Sequence, residues 1–249
     1  MANTILFVFE GEKTEPKIVD SLLKFYVNTP GRTVVKAIYG SEIYSLFHTI
    51  ANDNDLDLFL LLKDRDKNKE VLNGISKDDV SEIYLFFDYD AHAPAAADGK
   101  LRDMLEKFCE ETDVGKLYIS YPMVEAIRHI REGTPFQDTI VKCKENIGYK
   151  KISSDECDAI YKDVARLKES NWRHIIGEHC KKLNHLMTDD FSFPERNFEQ
   201  QEIFDRQLEK HIIPSESVAV LSALPVFAMD YYGHAKMKAL LSQEIPAKE

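Results

Sequence analysis

The chain has 249 residues, 44% of them hydrophobic, which is enough to bury a sizeable core as one large domain or one domain with an appendage, and too apolar for a disordered chain. Its 32 basic residues face 43 acidic ones, and the net charge of -11 excludes a protein that coats nucleic acid by bulk electrostatics, so any such contact must be local or bridged by metal. Four cysteines, Cys109, Cys143, Cys157 and Cys180, include no C-x-x-C pair; they suggest neither a disulfide framework nor a cysteine zinc site and fit a reducing, cytoplasmic setting.

Ile5 to Phe9 is a continuous apolar run of strand length, suited to a strand covered on both faces in a parallel sheet. Glu10 cuts the run off, leaving it too short for a secretory signal. Glu15-Pro16 reads as a helix start, because proline is tolerated in the first turn and an acid favours the positive end of the dipole. Ile18, Leu22, Leu23 and Tyr26 follow at helical spacing, Gly31 ends the region, and Thr33 to Tyr39 reads as a second strand. Glu42 to Ala51 sets Ile43, Leu46, Phe47 and Ile50 on one helical face. Leu56 to Leu62 fits a buried strand or the apolar part of a helix, and helix is favoured. Lys63 to Glu70 reads as solvated surface and Asn73-Gly74 as a turn, within an insertion spanning 52–80. Ile83 to Phe87 is another buried strand, followed by a loop with His92, Pro94 and Gly99 and a helix from Lys100 to Glu111. Lys116 to Ser120 is a short strand, and Pro122 opens a helix carrying Val124, Ile127 and Ile130.

This alternation predicts a doubly wound α/β domain with a mainly parallel sheet over residues 1–133. Residues 134–249 read as a mainly helical region without further strands, with polar helices at 135–145, 154–169, 171–186 and 197–211. Ser215 to Leu241 reads as an apolar helix with its tail. The longest apolar run, Val218 to Met229, is interrupted by Ser222 and Pro225 and is short of the roughly 20 residues that cross a bilayer, so no membrane is expected. The segment from Ser217 to Tyr232 is more apolar than a surface helix; a core position is favoured over a partner-docking patch.

The chemistry concentrates in acids at strand exits. In open parallel sheets the carboxyl ends of the strands form the ligand-binding rim. Glu10 lies there after the first strand, and Asp88 and Asp90 after the strand at 83–87, where i, i+2 spacing sets two carboxylates the same way. If those strands are neighbours the three acids converge, and unpaired carboxylates that close disfavour each other's ionisation. A divalent cation resolves the conflict, and hard oxygen ligands select Mg²⁺ or Mn²⁺. Glu15 is a ligand for a further ion, a base standing behind the ligands, or an ordinary first-turn acid. Lys13 either meets a phosphate or is a plain loop lysine. Glu125, in Ser120-Tyr-Pro-Met-Val-Glu125, is alone a first-turn acid beside Arg128; with the other acids it suggests a second metal, and two ions ~3.5–4 Å apart form a clamp for phosphodiester displacement.

The strand ending in Glu10-Gly11 and the later strand ending in Asp88-Tyr-Asp90 resemble a Toprim domain, the fold of type IA and type II topoisomerases, bacterial primases and OLD-family nucleases. E-G-E-K-T-E-P at 10–16 and S-Y-P-M-V-E at 120–125 are similar to the RloB-like and OLD-like branch found in bacterial anti-phage systems. The resemblance covers residues 4–131. It implies a Toprim-like, Rossmann-like fold and a Mg²⁺- or Mn²⁺-dependent endonuclease acting on DNA or RNA. Glu10, Asp88 and Asp90 take the metal positions, Glu15 and Glu125 match the additional acids of the nuclease branch, and Lys13 and Ser120 are candidate substrate contacts. Glu10 to Glu15 is one residue longer than E-G-x-x-E, which leaves the role of Glu15 open. With no G-x-x-x-x-G-K-[ST] in the chain, an ABC- or SMC-like ATPase would be a separate partner of this defence effector; a homodimer is compatible with the resemblance. The alternative is a non-catalytic Toprim-like module with a structural metal site.

Other groups carry less. His174, His179, Cys180 and His185 lie close in sequence but lack zinc-site spacing. Lys142, Lys144, Lys150 and Lys151, with Trp172 or Tyr149 to stack a base, suit a nucleic-acid backbone, yet Glu145, Asp155, Glu156 and Asp158 offset their charge and a solvated face is favoured.

Overall fold

The computed structural model describes residues 3–27, 30–52 and 57–243. Its first half alternates as β1 (Thr4–Phe9), α1 (Thr14–Leu23), β2 (Thr33–Ile38), α2 (Ile43–Asn52), α3 (Leu58–Lys63), β3 (Val80–Asp88), α4 (Asp98–Lys107), β4 (Cys109–Glu110) and β5 (Gly115–Ser120). These strands form one sheet in the order β2-β1-β3-β5-β4, parallel except for β4, which runs antiparallel at the edge. The chain is therefore α/β with a mostly parallel sheet flanked by helices. β1 is buried along its whole length, the consequence of an uninterrupted apolar run in a central strand. The expected helix at 56–62 is present as α3, although Leu56 itself, with 53–55 of the expected insertion, lies outside the described residues.

From β1 the chain crosses to β2 on one side, and from β3 to β5 on the other. The switch of direction falls between β1 and β3, the place where in open α/β sheets the loops part and leave a crevice.

The second half departs from expectation. It contains β6 (Ile140–Lys142), α5 (Tyr149–Glu156), α6 (Glu169–Thr188), α7 (Gln200–Gln207), a π-helical turn at Leu208–Ile212, α8 (Ile213–Ser215), β7 (Ser217–Ala219), α9 (Ala223–Tyr232) and α10 (His234–Ser242). The helices expected at 171–186 and 197–211 are present in substance. Residues 135–145 are instead a 3₁₀ turn at Phe136–Asp138 leading into β6, which pairs antiparallel with β7. The carbonyls of Phe136, Gln137 and Thr139 all accept from Lys182 Nζ on α6, at 2.9, 2.7 and 2.9 Å, and Thr139 O also accepts from the Val220 amide at 3.1 Å, which ties this segment to α6 and to the strand beside it instead of to a helix of its own. Residues 154–169 break into 3₁₀ turns at 159–161 and 164–166, because Asp158 is tied to the backbone of Ile130 and Glu132. The helix expected after Pro122 is a 3₁₀ turn at Val124–Arg128, in which Val124, Glu125, Ala126 and Ile127 are all buried.

Residues 217–229 are core: β7 and α9 are buried almost without interruption. Phe227 lies edge-on to Phe7, Tyr84, Phe86 and Tyr118, with centroids 4.8–5.6 Å apart, so α9 covers one face of the sheet. On the same side Ser21 of α1 accepts from the Trp172 indole of α6 at 3.0 Å. Apolar packing thus continues across residue 133.

Candidate functional site

The parallel registers Phe9↔Phe86 and Asp88↔Ser120 bring the exits of β1, β3 and β5 level. Glu10 follows β1 directly, its amide donating to the Phe86 carbonyl at 3.3 Å and its carboxylate accepting from the Asp88 amide at 3.3 Å. The carboxylates of β1 and β3 are therefore neighbours across the crevice, as adjacency of the two strands requires.

Asp90 reaches the site by a different route from the one its spacing implies. Asp88 is the last strand residue, and Asp90 sits in the left-handed region at φ 41°, a conformation aspartate tolerates better than most residues. Tyr89 between them is fixed on both sides: its amide donates to Ser120 O at 3.0 Å and its carbonyl accepts from the Tyr44 hydroxyl of α2 at 3.1 Å. Asp90 then faces His92, Oδ1 to Nδ1 at 3.4 Å.

Glu15, in the first turn of α1, is buried and curls back so that its Oε1 accepts from the Gly11 amide at 3.0 Å. A Cβ on residue 11 would lie 2.8 Å from both Glu15 carboxylate oxygens, so the glycine of the E-G pair is what lets this carboxylate lie there. Glu125 is buried in its 3₁₀ turn, 3.3 Å from the exposed Lys150 ammonium.

The electrostatics tie these acids together. Burial raises the Glu10 carboxyl to about 8, opposed by the Asp88 amide and reinforced by Asp90, Glu15 and Glu42. Burial, followed by Glu10, Glu15, Glu125 and Asp90, holds Asp88 well above the ordinary carboxylate range. Glu10 and Asp88 thus both lie within the field of Glu15 and Asp90, and Asp88 also within that of Glu125. Glu42 was missed by the sequence reading, although it follows the exit of β2 and the rim rule would have found it.

Oxygen donors that resist ionisation for lack of a counter-charge fit a hard divalent cation in type. Among the described residues no three His, Cys, Asp or Glu side chains are drawn into one coordination group. Four of the five instead rest on separate partners: Glu10 on the Asp88 amide, Glu15 on the Gly11 amide, Asp90 on His92 and Glu125 on Lys150.

Lys13 is exposed at the start of α1. Ser120 is buried and its hydroxyl accepts from the Ala223 amide at 3.3 Å, so it faces α9 and not solvent. Trp172, proposed as a stacking platform, is fully buried. Tyr149 is buried, its hydroxyl 3.0 Å from His129 Nδ1. Lys144 pairs with Asp98 at 2.9 Å, Lys150 with Glu125, and Lys142 donates to Ser215 O at 2.7 Å. His174 stacks on Tyr161, His179 accepts from the Ser222 amide at 3.2 Å, Cys180 is buried below Pro225, and His185 meets Phe191, each a separate environment.

Comparison of the chain with protein-family models, curated proteins and solved structures gives no match in any of the three.

Proposed function

We propose that this protein is a metal-dependent nuclease that hydrolyses phosphodiester bonds of DNA or RNA at the crevice between β1 and β3. The observation that supports the reading is the adjacency of Glu10 and Asp88 at the switch point of a parallel sheet, both held above the ordinary carboxylate range by burial and by neighbouring acids, Asp90 and Glu15 among them and Glu125 at Asp88. Glu10, Asp88 and Asp90 would hold Mg²⁺ or Mn²⁺, and Glu15 and Glu125 would join in holding a second ion. Bound there, such ions supply Lewis-acid stabilisation of a phosphate and lower the pKa of water. The chain's own part is positioning: the Gly11 amide orients Glu15, the Asp88 amide orients Glu10, His92 faces Asp90, and Lys150 balances Glu125. In this reading the protein acts as the effector of an anti-phage system, with an ABC- or SMC-like ATPase as a separate partner.

A second reading, a non-catalytic binding module with a structural metal site, is favoured by the fact that four of the five carboxylates, all but Asp88, already rest on a protein partner. Labelled single-stranded and duplex DNA and RNA, incubated with Mg²⁺, Mn²⁺ or EDTA, separate the two. Cleavage should require the metal and fall at least about a hundredfold in Asp88→Asn, beyond the 10–100-fold typical of residues behind a ligand, with the circular dichroism spectrum unchanged. Metal-independent cleavage, or full activity in Asp88→Asn, would overturn the nuclease assignment; metal binding without cleavage of any substrate would favour the module.

A further inference from the structure

Beside the carboxylates a groove of about 180 Å³ runs between the start of α1 and the segments 125–128 and 162–165. Lys13, Lys17, Arg128 and Lys162 line it, and so does Glu125, one of the acids that act on Asp88. The groove thus shares Glu125 with the proposed cleavage site.

Most lysines near this rim are neutralised by neighbours: Lys67 by Glu12, Lys36 by Asp20, Lys144 by Asp98, Lys150 by Glu125. Lys13, Lys17 and Lys162 form no ion pair with a described residue. Arg128 gives its guanidinium to Ser153 Oγ at 3.2 Å and Lys150 O at 2.9 Å, neither of them charged. The two acids on the wall are engaged elsewhere, Glu125 with Lys150 and Asp163 with Arg166. Four cations without a carboxylate partner, in a chain of net charge -11, leave this groove locally complementary to an external polyanion. Ile18, Ile127 and Val164 give it an apolar lining that suits a sugar between phosphates.

We propose that this groove seats the sugar-phosphate backbone of a single nucleic-acid strand, with Lys13, Lys17, Arg128 and Lys162 holding phosphates next to the scissile one. This rests on the nuclease reading and deepens it by naming how the substrate is gripped. Its volume of about 180 Å³ is closer to that of one sugar-phosphate unit than to that of a duplex segment.

The test uses the full chain carrying Asp88→Asn, to prevent turnover, and fluorescence anisotropy with end-labelled oligothymidylate and oligouridylate between roughly 50 and 200 mM salt in Mg²⁺. Adding Lys17→Gln and Lys162→Gln should raise Kd about tenfold at the lower salt. The same pair should flatten the log–log salt slope by about 1.4, at roughly 0.7 for each phosphate of a single strand that is no longer neutralised. Lys107→Gln with Lys238→Gln, outside the groove, should change neither. An unchanged Kd and slope in the groove variant, absence of binding by the parent, or tighter binding of duplex than of single strand would each overturn the proposal. Cleavage by the wild-type chain, measured in parallel, keeps the two claims apart. Cleavage with groove variants that bind normally sinks the groove alone. Groove-dependent binding without cleavage sinks the nuclease reading alone.

Discussion

Gly11 and Glu15 are coupled through space and not through backbone conformation. Gly11 needs no unusual φ; its value is the missing Cβ, whose position would be 2.8 Å from each Glu15 carboxylate oxygen. Because the obstructed atoms end a flexible side chain, Gly11→Ala should move Glu15 at small cost, about 1 kcal/mol or less, a shift of about 2–4 °C in melting temperature for a chain of this size. Metal-dependent cleavage should fall about tenfold or more in the same variant, since a displaced acid no longer supports its neighbours. Unaltered cleavage by a folded Gly11→Ala protein would remove Glu15 from the site. The E-G pair was legible in the sequence as a mark, but the reason for its glycine was not, because Glu15 is four residues further on and its return over the backbone depends on the first turn of α1. Glu42 was legible in the same way, three residues beyond Tyr39 at the exit of β2, but it stands at the head of the amphipathic run of α2 and reads there as an ordinary first-turn acid.

At the scale of elements, the continuous apolar runs announced themselves. β1, β3 and β5 lie where the sequence places strands, although β3 extends beyond the 83–87 run to Val80–Asp88, and the adjacency of β1 and β3 is what brings Glu10 beside Asp88. The short pieces did not, because three-residue strands such as β6 and β7 carry no periodicity of their own and exist by pairing with each other. Lys182 is the hidden organiser there. Burial pushes its amine down to about 7, with Asp138 opposing, while three carbonyls surround Nζ and call for the three donors of an ammonium; a neutral amine offers two. Lys182→Met should take a donor from each of those carbonyls, leaving Gln137 O with none while Phe136 O and Thr139 O keep the Thr139 and Val220 amides, and lower the urea-unfolding free energy by about 1–3 kcal/mol. A variant as stable as wild type would mean that the 136–139 turn holds itself. No sequence pattern points to this contact, since a lysine on the inner side of a helix is indistinguishable by spacing from one that reaches solvent.

For the whole molecule, the division near residue 133 marks a change in composition but not an edge of the core. Phe227 and its neighbours on α9 cap the aromatic face formed by Phe7, Tyr84, Phe86 and Tyr118, and Leu221 exchanges two backbone hydrogen bonds with Tyr121 at 2.8 and 2.9 Å. A fragment of residues 1–133 should therefore fail to fold cooperatively, with poor amide dispersion by NMR and strong binding of a hydrophobic dye; a sharply folded fragment would show that the sheet closes without α9. The lid on the sheet has a consequence for the protein's birth. Synthesis delivers every rim acid within the first half of the chain, yet the ribosome releases the segment that braces Ser120 and Tyr121 only some hundred residues later. A nascent chain thus carries its acids before it owns the frame that aligns them, and a cell making this protein meets the assembled edge only once translation is nearly done.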